Sequence, residues 1–272
     1  MTEPAAWRTP AVDPADTDLL ARGTLEVEGR LVEASNGTFY GKVSDGSRSV
    51  ACVYKPVSGE RPLWDFPDGT LAGRERAAFL VSEAAGWHVV PPTVLADGPF
   101  GPGMVQQWVD VDPALSQIAV APAGAQPEGW FAVVDAVAAG GREVTLLHRD
   151  SLPLRAIALF DAVVNNADRK GGHLLPVDGT VLGCDHGLTF HVEDKLRTVL
   201  WGWAGDPLRD DERQRLEDLS LQVAAGPLVS ALSDLISADE IEGIQERLDV
   251  LLRTGTMPEP GDRWPTIPWP PM

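Results

Sequence analysis

The sequence predicts an α+β protein, with strands in its first half and helices in its second. Apolar and polar residues alternate over residues 24–33, which is typical of a half-buried strand. Residues 208–253 carry apolar residues at helical spacing. Residues 110–128 are rich in Ala, Pro and Gly, as a flexible connection would be. With 272 residues, 44% of them hydrophobic, the chain can bury a substantial core as one domain or two small lobes.

The composition argues against several classes of function. A formal net charge of −18 disfavours nucleic acid or an anionic membrane surface as the main partner, because both reward Lys and Arg. No apolar run approaches the ~18 residues that span a bilayer, and the N-terminus lacks the pattern of a signal peptide. Two cysteines, Cys52 and Cys184, are too few for a disulfide framework. We therefore predict a cytoplasmic protein with no nucleic-acid partner and no stable membrane association.

The first half is predicted to be β-rich after a poorly ordered lead-in over residues 1–17, which show no periodicity. The third strand is a nearly continuous apolar run, as a central strand would be, and Lys55 lies at its end. The elements predicted in this half are strands over 24–33, 38–43, 49–56 and 103–109, a turn into an edge strand over 87–95, and a helix over 70–85 that Gly86 ends.

The second half is predicted to be mainly helical, with one β-hairpin. The hairpin is indicated by two short apolar runs around Asp178-Gly179, a favoured pair for tight turns. The predicted elements are helices over 130–139, 152–164, 208–223, 227–236 and 237–253, with Ser237 and Glu240 forming a capping box and Gly255 as a stop.

Two short motifs flank this predicted hairpin. The first runs Asn165-Asn166-Ala-Asp168-Arg169-Lys170-Gly-Gly-His173, and the second runs Cys184-Asp185-His186-Gly187-Leu-Thr-Phe190. A hairpin brings the acidic residue before it and the one after it to the same end of a two-stranded ribbon. Two carboxylates held this way suit phosphoryl transfer, where one orients the attacking hydroxyl and the other holds a metal on the nucleotide phosphates.

These motifs resemble the catalytic core of the phosphatidylinositol 3-/4-kinase-like and HipA-like atypical kinases, including an actinobacterial group. The resemblance covers roughly residues 30–220, with specific motifs in a few short windows. It implies a two-lobed atypical protein/lipid kinase-like fold, with a small β-rich N-lobe and a helical C-lobe around the nucleotide. The implied parts are the lead-in 1–17, N-lobe 18–110, inter-lobe linker 111–128, C-lobe 129–256 and a Pro/Trp-rich tail 257–272.

The resemblance also implies an ATP- and metal-dependent phosphotransferase that acts on the hydroxyl of a small molecule or a protein. Asp168 would be the catalytic base, Lys170 would lend positive charge to the transferring phosphoryl group, and His173 and Asp185 would hold Mg²⁺ or Mn²⁺. ATP would meet a glycine-containing loop, the strand lysine with its helix partner, and the backbone of the hinge between lobes. These nucleotide-binding residues are Ser35, Asn36, Gly37, Thr38, Lys55, Glu75, Gln106, Gln107, Trp108 and Val109.

Some of these residues also have plain structural interpretations. The loop at Asn36-Gly37 could be a surface hairpin, Lys55 a solubilising strand end, and Glu75 a solvated helix charge. Asp185 before a glycine could serve only as a turn former. The sequence leaves these alternatives open.

His173 departs from the kinase pattern, which has a metal-binding Asn five residues after the base. Imidazole favours transition metals such as Mn²⁺ more than Asn does, or it could simply stack at the base of the hairpin. Three functions therefore remain open. They are γ-phosphoryl transfer, AMP transfer on the same fold, and a nucleotide-binding pseudokinase with a regulatory role.

A second candidate for the catalytic motif lies upstream of Asp168. His148-Arg149-Asp150 spells the protein-kinase catalytic triplet, but Arg155 stands five residues after the aspartate and no hairpin follows. We treat this triplet as a decoy.

In the tail, Trp264 and Trp269 lie among prolines and are predicted to dock either on the parent domain or on a protein partner.

Overall fold

A computed structural model describes residues 13–31, 37–61, 63, 66, 71–177, 179–262 and 264–272. Within these ranges the chain forms strands in its first half and mostly helices in its second, as predicted. The elements are α1 Pro14–Arg22, β1 Thr24–Arg30, β2 Phe39–Ser44, β3 Ser49–Pro56, α2 Leu71–Ala84, β4 Thr93–Gly98, β5 Gly101–Gln107, β6 Ile118–Pro122, β7 Trp130–Ala138, β8 Arg142–Arg149, α3 Leu152–Val164, β9 Leu174–Val177, β10 Thr180–Gly183, α4 Asp210–Ala224, α5 Pro227–Ser233 and α6 Ala238–Thr254.

A five-stranded antiparallel sheet forms the N-terminal lobe, in the order β1-β2-β3-β5-β4. The predicted central position of β3 is confirmed, because it pairs with β2 on one side and β5 on the other. The small core of this lobe includes Cys52, Tyr54, Val94 and Val105. Lys55 therefore leaves the end of a strand that is fixed on both edges.

Residues 14–17 correct the predicted lead-in, because they form the start of α1. Asp13 accepts a hydrogen bond from the Ala15 N–H at 2.9 Å, and Pro14 stands in the first turn, where a missing N–H leaves no helical bond unmade. Leu19 and Leu20 then bury against the sheet. The Asp-Pro pair is a helix-start signal that the short apolar pattern hid. Residues 1–12 lie outside the described residues.

The helix predicted over residues 130–139 is wrong, because this segment is strand β7. It belongs to a three-stranded antiparallel sheet in the order β6-β8-β7. The turn from β7 to β8 contains Gly140 and Gly141, with φ of +86° and +76°, which is a Gly-Gly hairpin turn. The interval predicted as linker also holds β6 and a 3₁₀ turn, Pro113–Leu115. The alanines of β7 suggested a helix, but strand pairing overrode that weak preference.

The second lobe confirms the other predicted helices and the hairpin. Helix α3 begins after Ser151 and ends at Asn165, whose φ of +52° is left-handed. Strands β9 and β10 pair antiparallel around Gly179, while Asp178 lies outside the described residues. The capping box of α6 is present, and Gly255 ends the helix with φ of +69°. No helix in the described part of the chain is long and apolar enough to cross a bilayer.

The larger core joins α2 to the helices of the second lobe. Ala77, Ala78 and Val81 of α2 are fully buried in one cluster with residues of α3, α4, α5 and α6. Helix α2 also contacts β4 and β5 of the N-terminal sheet. It is thus shared between the two lobes, and it carries Glu75.

The C-terminal tail docks on the parent domain through Trp264. The Lys195 ammonium lies 4.9 Å from the centre of the Trp264 ring, and the Arg197 guanidinium lies 5.9 Å from it. The carbonyl of Thr266 accepts hydrogen bonds from the Thr198 N–H at 3.0 Å and from the Trp201 indole at 2.9 Å. These contacts support the first of the two alternatives for Trp264.

The far end of the tail reaches the loop that carries Asp168. The Gly171 N–H donates to the Pro271 carbonyl at 2.9 Å, next to Lys170. Trp269 has 83% of its surface exposed, so it does not share the docking role of Trp264.

Trp264→Ala should lower the free energy of unfolding by about 1–3 kcal/mol, because it removes a partly buried ring on which two cations lie. Trp269→Ala is the matched control and should change it by less than about 0.5 kcal/mol, because that ring is exposed. Urea denaturation of both variants measures the difference. Equal effects would show that Trp264 does not anchor the tail.

Candidate active site

The buried guanidinium of Arg169 organises the predicted catalytic loop. Its Nε and Nη2 atoms donate to the two carboxylate oxygens of Asp161 on α3, each at 2.8 Å. Its Nη1 donates to the carbonyls of His173 at 3.3 Å and Cys184 at 3.1 Å, the residues at the two ends of the hairpin. Burial alone would lower the pKa of Arg169, but Asp161 outweighs it and raises the pKa. One cation therefore ties α3, the loop and the hairpin together.

Two asparagines fix the path of the chain between α3 and Asp168. The Asn165 amide donates to the carbonyls of His191 at 2.8 Å and Glu193 at 2.6 Å. The Asn166 amide donates to Asp161 at 2.9 Å, and its Oδ1 accepts the Asp168 N–H at 3.0 Å. Both side chains are fully buried. The buried hydrogen bonds of Asn165 and Asn166 therefore fix the position of Asp168.

The Asp168 carboxylate lies beside Lys170, near His173 and Asp185, in the region that we call the cleft. Its Oδ2 lies 2.9 Å from the Lys170 Nζ, and both side chains are partly exposed. The structure therefore brings together the two residues that we predicted to act on the transferring group.

Lys55 lies between two carboxylates. Its Nζ contacts Glu75 Oε1 at 2.7 Å and Asp185 Oδ1 at 2.8 Å. Burial works against the charge of Lys55, but these two carboxylates outweigh it and raise its pKa. The second oxygen of Glu75 accepts the backbone N–H of His186 at 2.8 Å. Strand β3, helix α2 and the segment after the hairpin therefore meet at one ammonium group.

Asp185 directs a half-exposed carboxylate into the cleft from a left-handed backbone, with φ of +60°. Asp tolerates this conformation better than most residues, and such outliers cluster at functional sites. Lys55 is the main cause that holds the pKa of Asp185 well below its usual range. The other oxygen, Oδ2, lies 3.3 Å from His173 Nε2.

His173 is largely buried, and burial lowers its pKa, so the imidazole is neutral near pH 7. Neutral imidazole is the form that binds metals. Its Nδ1, however, has no hydrogen-bond partner among the described residues, whereas a metal-bound His usually donates its second N–H to an acceptor. Among the residues that the structure describes, no group of three or more His, Cys, Asp or Glu is placed to hold a metal. His173 and Asp185 therefore fit a cation that nucleotide phosphates also bind, as they commonly do for Mg²⁺.

The predicted phosphate loop is only partly described, because Ser35 and Asn36 lie outside the described residues. Gly37 donates its N–H to the Gly59 carbonyl at 3.3 Å, and Thr38 is buried. The end of this loop therefore adjoins the turn that follows β3.

The predicted hinge residues follow and include the end of β5. The N–H of Gln107 donates to the Pro92 carbonyl and that of Trp108 to the Ala51 carbonyl, both at 2.8 Å. The Gln106 amide donates to the Thr93 hydroxyl at 2.8 Å. The backbone N–H groups of Gln107 and Trp108 and the side-chain amide of Gln106 are therefore engaged inside the N-terminal lobe, and Val109 follows them outside the strand.

Two residues of the site carried no predicted chemical role. Asp161 is a fully buried carboxylate on an apolar helix, and a lone charge on such a face is the signal that points to an ion pair. His186 stands where kinases of the predicted type have Phe, and its ring packs edge-on against Phe160 at 5.5 Å. Its Nε2 lies 2.7 Å from the Arg169 guanidinium, so Nε2 accepts and the ring is neutral.

The His148-Arg149-Asp150 triplet has structural roles at the end of β8. His148 is fully buried, its Nε2 accepts the Gly202 N–H at 2.9 Å, and its ring contacts Phe131 and Trp203. Asp150 accepts the Trp203 indole N–H at 3.2 Å. These contacts account for the triplet without a catalytic role.

The fold is of the atypical kinase type. The structure of the Golgi casein kinase matches with a TM-score of 0.53 at 14% identity, over 89% of this chain and 74% of that chain. Its form with Mn/ADP bound matches with the same score and identity over 88% and 74%. Hydra Fam20 with sugar matches with a TM-score of 0.53 at 12% identity, over 88% and 86%. At these identities the likeness shows the fold alone.

One sequence relative comes from a bacterium. Protein Rv2133c of Mycobacterium tuberculosis is 50% identical over 262 residues, which cover 93% of this chain and 94% of that protein. The chain therefore belongs to the family of Rv2133c. No protein-family model matches it, so the narrower resemblance to phosphatidylinositol 3-/4-kinase-like and HipA-like proteins stays a prediction.

Arg169→Met should destabilise the protein by about 3–5 kcal/mol, because it leaves the Asp161 carboxylate buried without its cation. The double variant Asp161→Leu/Arg169→Met should be less destabilised than the sum of the single variants, by about 1–3 kcal/mol. Chemical denaturation of the four proteins measures this coupling. The exposed pair Lys42 and Glu28, 2.6 Å apart, is the control and should show no coupling beyond experimental error. Additive effects at Asp161 and Arg169 would contradict the role assigned to their ion pair.

Proposed function

We propose that the protein is an ATP- and divalent-metal-dependent phosphotransferase that moves the γ-phosphoryl group to a hydroxyl of a small molecule or a protein. One observation carries the proposal. Lys55 contacts both Glu75 and Asp185, and the Asp168 loop is joined through Arg169 to the hairpin that presents Asp185. Phosphoryl transfer needs this set of groups, because its catalysis consists mostly of positioning and electrostatic stabilisation.

The charges of the cleft support a requirement for metal. Two ammonium groups, Lys55 and Lys170, face three carboxylates, Glu75, Asp168 and Asp185. The neutral imidazole of His173 adds no charge. Polyanionic phosphates alone would be repelled by this excess of negative charge, so a cation must enter with them.

Each residue has a defined task in the proposed reaction. Lys55, held by Glu75, would bind the α- and β-phosphates. Asp168 would orient the acceptor hydroxyl and accept its proton as the new O–P bond forms and the bond from the γ-phosphorus to the bridging oxygen breaks. Lys170 would turn from Asp168 toward the transferring group, whose negative charge it can stabilise. ADP leaves with the electrons of the broken bond.

Asp185 and His173 would hold the Mg²⁺ or Mn²⁺. Such a cation neutralises charge on the nucleotide phosphates. A solved structure of the same fold, the Golgi casein kinase, holds Mn and ADP, which are one of the two proposed metals and the proposed product nucleotide. That likeness supports the proposal through the fold alone.

We further propose ATP as the nucleotide, a hydroxyl compound as the acceptor and the cytoplasm as the location. Trp269 stays available to a protein partner, because the docking of the tail leaves its ring exposed.

Asp168→Asn should lower ATP turnover by about 10²–10⁴-fold while nucleotide binding persists, because the amide cannot accept the proton. Asp185→Ala should abolish metal-dependent nucleotide binding. Phosphorus NMR of reactions with ATP and Mg²⁺ identifies the products, and Mn²⁺ reactions are read after the metal is chelated. Calorimetry with ADP and each metal measures binding.

The products discriminate between the functions. ADP that forms only with intact Asp168 supports γ-phosphoryl transfer. AMP with pyrophosphate would contradict it and identify an AMP transferase. Metal-dependent binding with no turnover, in the presence of a panel of protein and small-molecule hydroxyl acceptors, would favour a pseudokinase. Unchanged nucleotide binding by Asp185→Ala would overturn the role given to that carboxylate.

His173→Asn should shift the metal preference from Mn²⁺ toward Mg²⁺, because an amide oxygen suits Mg²⁺ better than imidazole does. The measurement is the ratio of ADP affinities in the two metals for the variant and the wild type. His88→Asn is a matched control, since His88 pairs with Glu83 outside the cleft. An unchanged ratio would show that His173 is not a metal ligand.

A further inference from the structure

Arg74 precedes Glu75 on α2 but points into the opposite lobe. Its guanidinium donates to the Thr189 carbonyl at 2.7 Å and pairs with Glu240 Oε1 of α6 at 2.5 Å. Only 2% of its surface is exposed, and its guanidinium also lies 5.0 Å from the centre of the Phe66 ring. A charged side chain buried this deeply persists only with partners that satisfy it.

We propose that Arg74 is a positioning residue that locks α2 onto the C-terminal lobe and so holds Glu75 against Lys55 without phosphorylation or a partner protein. This inference rests on the proposed function, because it assigns a purpose to the Lys55–Glu75 pair. It adds residues, Arg74 and Glu240, that belong to no kinase motif in the sequence.

Arg74 and Glu75 are adjacent, and their Cα atoms are about 3.8 Å apart. A rotation or slide of α2 that withdrew Glu75 from Lys55 would also pull Arg74 from Thr189 and Glu240. Because a packed interior resists small shifts, the engaged position of the helix is held by contacts on both of its sides.

Thr189 connects Arg74 to the segment that follows Asp185. The Thr189 hydroxyl donates to the His186 carbonyl at 2.7 Å, and the His186 N–H donates to Glu75. Arg74 therefore holds the segment that follows Asp185 as well as the helix that carries Glu75. Both carboxylates that contact Lys55 depend on the same guanidinium.

Helix α2 also packs against the C-terminal lobe through its apolar residues. Its buried residues Ala77, Ala78 and Val81 belong to the core of the C-terminal helices, not to the separate core of the N-terminal sheet. In kinases the corresponding helix is often the part whose position is regulated. Here the core anchors the helix, and the Arg74–Glu240 ion pair fixes its rotation.

Glu240 offers a discriminating test because its carboxylate has two roles. Besides pairing with Arg74, its Oε2 accepts the Ser237 N–H at 2.9 Å in the capping box of α6. Glu240→Ala removes both roles, whereas Ser237→Ala weakens only the cap. Arg76→Ala is a second control on α2, because Arg76 contacts Thr93 and Phe79 and not the C-terminal helices.

The first readout is hydrogen–deuterium exchange of residues 71–84 in the full chain, which needs no nucleotide. Glu240→Ala should speed exchange in this segment by about tenfold, and Arg74→Lys should give a smaller increase because it keeps the charge. Ser237→Ala should speed exchange at the start of α6 and not in α2. Arg76→Ala should leave the Lys55–Glu75 end of the helix unchanged.

The second readout is the affinity for ADP with Mg²⁺ or Mn²⁺. Glu240→Ala should weaken it by about tenfold, with little change for Ser237→Ala. The proposal is overturned if a folded Glu240→Ala or Arg74→Lys variant exchanges its α2 amide hydrogens as slowly as the wild type does. Wild-type protein that binds no nucleotide would overturn the proposed function instead, while the exchange experiment would still decide whether Arg74 locks the helix.

Discussion

The ion pair between Asp161 and Arg169 is the interaction on which the rest of the site depends. It is fully buried, so its attraction is strong and the penalty for losing either partner is large. Arg169 also donates hydrogen bonds to the carbonyls at the two ends of the hairpin and to His186. The loop, the hairpin and helix α3 therefore have one relative arrangement. A purely apolar core would pack these elements but would not aim Asp168 at a given point.

A chain of polar contacts extends from this ion pair across the cleft. It passes from Arg169 to His186, from the His186 backbone to Glu75, and from Glu75 to Lys55 on β3. The histidine is the informative difference from the kinase pattern, because an apolar Phe at that position could pack but could not accept a hydrogen bond. Helix α2 joins both lobes through its core packing and through Arg74. The cleft is thus assembled by buried charges, each of which has a partner.

Local chemistry explains which elements the sequence predicted well. Helix α3, the hairpin and the capped helix α6 carry signals that act within a few residues: a left-handed Asn165, a turn glycine and the Ser237 capping box. The β7 segment, in contrast, was predicted wrongly because it has no such local signal. Its composition suits a helix as well as a strand, and only its pairing with β8 decides between them. The weak helix preference of this segment is overridden by pairing with a strand that lies outside the segment itself.

The sequence by itself determined the α+β class and the spacing that places Asp168 and Asp185 on either side of a hairpin. Motif spacing suffices for the hairpin because short-range geometry sets it. The candidate pair Lys55 and Glu75 came from the resemblance to atypical kinases. Only the tertiary structure decided that Arg74 joins α2 to α6, that His186 connects loop to helix, and that Trp264 docks on the parent domain. These contacts join residues up to 166 positions apart, since Arg74 meets Glu240. No local pattern encodes such a pairing, because a buried charge reveals its partner only when the chain has folded around both.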